Sequence, residues 1–295
     1  MFKLAIILCL IGFQIVPASA QTSLRDRLRD ALTRRKSSGS VELSYGSDPL
    51  QKLDFWKSDS PNAPLVIFVH GGGWKRGDKR DATGDKARHY AQQGYAFASI
   101  NYRLVPAATV EQQAQDVANA IAHLINRAET LGFDGKRVAL MGHSAGAHLS
   151  ALVGTDLSYL KKAGLKADAL RGVIPLDGAC YDVPRQIAEG GDFMHDTYLQ
   201  AFGEDPKRQA ALSPTLQAAA PNAPAFLILH VQRIDGTAQS KALAAALRSA
   251  GTAVEIQGFS GIGLKGHAEI NRLLGDPSYP ATAVVDAWLK RVFDR

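Results

Sequence analysis

From residue 65 onward the chain alternates short apolar, β-rich runs with longer stretches of helical periodicity. Residues 65–70 read LVIFVH without a polar break, the pattern of a strand buried on both faces. Residues 84–94 have helical character, and 95–102 (YAFASINY) predict the next strand. Within 110–131, Val110, Ala114, Val117, Ile121, Leu124 and Ala128 share one face, which predicts a long amphipathic helix. Strands are expected at 137–142, 171–176, 225–231 and 253–259. Helices are expected at 145–154, 237–250 and 279–293.

Strand and helix repeated at this spacing give a mostly parallel sheet with helices on both faces and right-handed crossovers. No stretch after Ser40 is long enough to divide the chain, so 41–295 is read as one α/β domain. Residues 181–222 break the alternation with Gly190-Gly191, several prolines and little β character, and are expected to form a small cap insertion.

The N-terminus follows a different pattern. Met1-Phe2-Lys3 opens a chain whose residues 4–16 are apolar apart from one Gln and one Gly, followed by Pro17 and Ala18-Ser19-Ala20. A basic start, a short apolar run and a small-residue site predict a signal peptide over 1–20, cut before Gln21. The run is too short for a stable membrane span. The mature protein is therefore expected in the periplasm or secreted, without an integral membrane segment. It would keep one cysteine, Cys180, and hence no internal disulfide.

Composition narrows the picture. Of 295 residues, 46% are hydrophobic and 21% charged, which excludes wholesale disorder. The formal charge of +6 raises nucleic acid as a partner. Much of that charge sits in residues 25–36 (RDRLRDALTRRK), where Leu24, Leu28 and Leu32 form one stripe of a short helix. Residues 21–40 thus read as a basic helix and linker, solvated on its charged side. The rest of the chain is near balance and has no basic stripe with interleaved aromatics, so no nucleic-acid partner is expected.

The chemistry is carried by three places. Gly142-His143-Ser144-Ala145-Gly146 follows a buried strand and opens a small-residue helix, the context that a G-x-S-x-G elbow requires. Its glycines allow a turn tight enough to push the Ser144 hydroxyl above the sheet. His70-Gly71-Gly72-Gly73-Trp74 follows the strand at 65–69. The N–H groups of Gly71 and Gly72, with that of Ala145, are candidates for an oxyanion hole; a phosphate loop would need a G-K-[ST] ending that is absent. His70 reads as a buttress of that loop.

Among eight histidines, His267 lies after the last strand, in the glycine-rich stretch 261–267, and is the candidate base. His143 adjoins the nucleophile but faces the wrong way to serve as its base, and is a candidate for substrate contact. The orienting acid is expected between Ser144 and His267, after the penultimate strand. Asp235 fits that place, with Asp177 and Asp182, behind the strand at 171–176, as rivals. Trp74, Tyr102, Tyr181 and Phe193 are aromatic candidates for the pocket, Trp74 and Tyr181 foremost.

Together, HGGGW at 70–74, GHSAGAHLSAL at 142–152, and Asp235 and His267 in late segments resemble the α/β-hydrolase superfamily, in particular small esterases with an HGGG loop. Arylformamidases and feruloyl or acetylxylan esterases are the nearest in pattern, and many of them have pairs similar to Tyr181-Asp182 and Ser213-Pro214. The resemblance implies an eight-stranded, mostly parallel sheet, a small-molecule ester substrate, and neither cofactor nor metal. It also implies carboxylic ester hydrolysis through an acyl-enzyme, with aryl formamide hydrolysis as the alternative. A binding protein on a hydrolase scaffold is a third reading, disfavoured because no triad member is missing. Two departures stand out. Gly146-Ala147 replaces the Gly-Gly of prolyl-oligopeptidase-like peptidases, and the acid segment HVQRIDGTAQS lacks the more usual HG…D pattern. Acyl length and oligomeric state are not legible.

Overall fold

The computed structural model describes residues 39–189 and 191–294, the side chains of Asp192 and Phe193 excepted. The expected signal peptide, and the basic helix up to residue 38, lie outside the described residues.

The strands are β1 (Val41–Ser44), β2 (Lys52–Trp56), β3 (Ala63–Val69), β4 (Ala96–Ile100), β5 (Phe133–His143), β6 (Gly172–Leu176), β7 (Ala225–Gln232) and β8 (Ala253–Ile262). They form one sheet in the order β1-β2-β4-β3-β5-β6-β7-β8. β1, β2 and β4 pair antiparallel, and the others pair parallel. This is the eight-stranded sheet that the resemblance implied. Periodicity missed β1 and β2, an edge hairpin with one face open to water at β1.

Before the sheet's midpoint lie α1 (Lys79–Thr83), α2 (Lys86–Gln92), α3 (Val110–Ile125) and α4 (Ala128–Leu131). α5 (Ala145–Thr155) and α6 (Ser158–Lys162) follow β5. The expected insertion is four helices: α7 (Val183–Glu189), α8 (Asp192–Phe202), α9 (Pro206–Ala211) and α10 (Pro214–Gln217). α11 (Ile234–Ser249), α12 (Gly263–Leu273) and α13 (Pro280–Phe293) complete the chain.

The apolar runs divide between two cores, one on each face of the sheet. Leu65, Ile67 and Val69 of β3 pack with Val117, Ile121 and Leu149 of α3 and α5. Val66 and Phe68, pointing the other way, pack with Tyr90, Val285 and Trp288 of α2 and α13. A strand has a side-chain period of two, so a run apolar at every position serves two faces at once. α3 starts at a capping box, in which Thr109 and Gln112 each bond the other's backbone N–H.

A buried ion pair ties the antiparallel edge to the segment that follows the glycine loop. Lys79 Nζ of α1 lies 2.7 Å from Asp54 and 2.9 Å from Glu42. The hydrogen bond from Lys79 holds the Glu42 carboxyl down at about 2.

Candidate active site

Five parallel strands deliver their C-terminal ends to one place, where open α/β sheets carry their sites. The register shows how they line up. Val69 of β3 pairs with Gly142 of β5, His143 with Leu176 of β6, and Leu176 with Leu229 of β7. The next residues leave the sheet at one level. The Ser144 N–H donates to the Leu176 carbonyl (3.1 Å), and the Asp177 N–H to the Leu229 carbonyl (2.7 Å).

Ser144 has φ 57° and ψ −120°, in a strained backbone region that costs about 1–3 kcal/mol. It persists because its neighbours give it room. A Cβ on Gly142 would run into the Gly146 carbonyl, and one on Gly146 into the Val69 carbonyl. α5 begins at Ala145 and points its N-terminal end at the space above the serine. A Cβ on Gly71 would sit 2.8 Å from the Ser144 Cβ and 2.9 Å from the His143 carbonyl, so the glycine loop lies directly against Ser144. Gly71, Gly72, Ser144, Ala145, His143 and His267 all line one cavity of about 830 Å³.

His70 buttresses the loop from behind. It is buried, its Nδ1 lies 2.7 Å from the Gly71 carbonyl, and its ring stacks on Tyr102 at 4.4 Å. Burial lowers its pKa, which favours the neutral ring.

His267 lies in α12, not in the glycine-rich loop expected for 261–267; only the turn into the helix is irregular. Its Nδ1 is 2.6 Å from Asp177 Oδ2. The carboxylate beside His267 is therefore Asp177 and not the expected Asp235. Asp177 is fully buried, and its other oxygen accepts the Val231 N–H at 3.0 Å. Burial by itself would raise the Asp177 carboxyl, but the hydrogen bond to His267, the Arg233 charge and the Val231 N–H outweigh it and hold the group low. Asp235 fails for a local reason. β7 runs on to Gln232 and α11 starts at Ile234, so Asp235 falls in a helical first turn. There it lies 3.6 Å from Arg233 and accepts from Gln186 at 3.3 Å, with a third of its side chain in solvent. Asp182, the other rival, instead accepts the Arg185 N–H within its own turn.

Two further residues bear on His267. His143 Nε2 lies 2.8 Å from the His267 carbonyl oxygen and its ring 4.4 Å from the His267 ring. Burial first, and the nearby His267 second, push its pKa well down. Neutral His143 thus donates Nε2–H and pins the His267 backbone. Arg233, unremarked in the sequence, has Nη1 at 3.0 Å from His267 Nδ1 and Nε at 3.5 Å from Asp177. With Asp177 taking the Nδ1 proton, the guanidinium meets the ring as a neighbouring charge and not as a donor. Its only sequence signal is its place in the irregular acid segment.

The aromatic candidates divide. Trp74 borders the cavity but is 2% exposed, with its Nε1–H aimed at His148 Nδ1 (3.3 Å) and its ring against Phe202. Tyr181 and Tyr102 are fully buried and do not border the cavity, so they act in packing, contrary to the pocket role expected of Tyr181. The Phe193 side chain lies outside the described residues. The cap instead contributes Met194, Thr197 and Tyr198, one face of α8. Among the described residues no group of three or more His, Cys, Asp or Glu is placed to hold a metal ion. No helix among them is long and apolar enough to cross a membrane.

A strained serine between a parallel strand and a helix, with a histidine from the helix after β8 against a buried carboxylate just past β6, completes the α/β-hydrolase fold. The BD-FAE family model matches residues 53–180. Esterase LipC of Mycobacterium tuberculosis is 32% identical over 214 residues, 69% of this chain and 53% of that protein. Kynurenine formamidase of Meyerozyma guilliermondii is 34% identical over 52% of this chain and 57% of its own length. The chain spans about half the length of the curated relatives it matches. Among solved structures, tributyrin phosphonate-inhibited esterase B of Lactobacillus rhamnosis superposes with TM-score 0.72 at 25% identity, over 94% of this chain and 92% of that one.

Proposed function

We propose that the protein hydrolyses carboxylic esters through an acyl-enzyme. Ser144 Oγ attacks the carbonyl carbon while His267 Nε2 takes its proton. Asp177 holds Nδ1–H and stabilises the imidazolium. The N–H groups of Gly71, Gly72 and Ala145 receive the oxyanion. His267 returns the proton to the leaving alcohol, and water then attacks the acyl-enzyme by the same route in reverse. The observation that carries this reading is the 2.6 Å contact between His267 and buried Asp177 beside the cavity that Ser144 lines.

The test is a p-nitrophenyl ester series from acetate to palmitate on wild type and Ser144→Ala. Serine-dependent turnover is expected, with irreversible loss of activity in a phosphonate. Absence of turnover on every ester would sink the reading and favour a binding role. The 34% identity to a kynurenine formamidase supports a second reading, aryl formamide hydrolysis by the same residues. Turnover of N-formylkynurenine alone selects it.

The reading includes export, which the basic start, apolar run and Ala-Ser-Ala site support. Mass spectrometry of protein from a bacterial periplasmic or culture fraction is expected to find Gln21 at the N-terminus; full-length chain confined to the cytoplasm would refute it.

A further inference from the structure

Among the described residues five large apolar side chains stand exposed, and three of them meet at the mouth of the cavity: Ile234 (96% exposed), Ile262 (75%) and Leu264 (63%). Single exposed apolar residues are ordinary. Three from two separate segments around one opening make a patch of the kind that binds something apolar.

The patch is built around His267. Leu264, His267 and Asn271 are spaced three and four apart on α12, and all border the cavity. Ile262 caps the same helix. Ile234 follows Arg233, which touches His267 Nδ1. The rest of the lining includes the glycine loop and α8.

The chemistry says which part of a substrate passes this rim. His267 must hand its proton to the leaving oxygen, so the leaving alcohol lies on the His267 side of the scissile bond. We infer that Ile234, Ile262 and Leu264 bind the alcohol portion of the substrate, and that the preferred substrates are esters of apolar alcohols, alkyl or aryl. A polyhydroxylated alcohol would gain less from this rim, because the three aliphatic side chains offer its hydroxyls no hydrogen bond. The inference rests on the ester-hydrolase reading.

Two substrate series test it on the full chain. One holds the acyl group at acetyl and lengthens the alcohol from ethyl to butyl, hexyl and octyl; the other holds ethanol and lengthens the acid. In wild type, kcat/KM is expected to climb along the alcohol series by up to about fourfold per methylene removed from water. In the double variant Ile234→Ser/Leu264→Ser the preference for hexyl over ethyl acetate is expected to fall about tenfold, while the slope of the acyl series stays as in wild type. All acetates share one acetyl-enzyme, so where its hydrolysis limits turnover the change appears in KM and not in kcat. A general disturbance of the fold would move both series together and would overturn the inference. So would an alcohol slope that survives both substitutions, or a loss confined to the acyl series. If wild type hydrolyses no ester at all, the ester reading fails and takes the inference with it.

Discussion

Asp177 and Asp235 make a controlled comparison. Each follows a buried parallel strand at the same end of the sheet, and each lies within 3.6 Å of Arg233. Asp177 is the first residue past β6, fully buried, with one oxygen on His267 and the other on a backbone N–H of β7. Asp235 is three residues past β7, a third exposed, and faces Arg233 and a glutamine. The difference teaches that lying after a strand is not enough. A carboxylate orients a histidine when the adjacent strand fixes its second oxygen and excludes water.

On the proposed mechanism Ser144→Ala is expected to have the largest effect, lowering kcat by roughly 10⁵–10⁶-fold with unchanged thermal stability. Asp177→Asn is expected to lower kcat about 10⁴-fold, because an amide can hold the wrong tautomer of His267. Steady-state kinetics that find Asp177→Asn nearly silent, with Asp235→Asn crippled, would reverse the two roles. Gly71→Ala, which sets a methyl 2.8 Å from the Ser144 Cβ, is expected to cost about 10²–10³-fold in kcat through a displaced oxyanion donor.

His148 sharpens the contrast from the elbow side. It is buried in α5, accepts from Trp74 and bonds the Leu212 carbonyl at 2.8 Å, and burial lowers its pKa from 6.5 to about 4. Above pH 6.5 both folded and unfolded chains carry it neutral. As pH falls from 6.5 to about 4, the unfolded chain binds a proton that the folded one refuses, so stability drops by on the order of 3 kcal/mol. Denaturant titrations of wild type across that window should show this loss, and His148→Gln should remove most of it. Smallest of all, Asp235→Asn is expected to change kcat/KM by no more than about fivefold, the range of a partly exposed ion pair.

Most of the candidate site was legible in the sequence. The elbow and the glycine loop are short-range features: Ser144 needs Gly142 and Gly146, and Gly71 needs no side chain, for reasons contained in a few consecutive residues. Six of the eight strands were legible, the central ones β3, β4 and β6 because they are buried along their whole length and so are largely apolar. β1 and β2 were not, since an edge hairpin is short and partly wet. Asp177 stood only as a rival to Asp235, because its partner lies 90 positions away and no local pattern pairs the two. Tyr181 looked like a pocket aromatic because nothing local separates a ring that faces a cavity from one that faces a core.

By itself, then, the sequence determined the αβ alternation, the strained serine, the glycine loop and the late histidine, all set by local sterics and periodicity. Only the tertiary structure decided which carboxylate meets His267, that Arg233 and His143 flank it, and that three aliphatic side chains gather at the cavity mouth. Those depend on strand order and register, which bring distant residues to one level, and no local pattern encodes them.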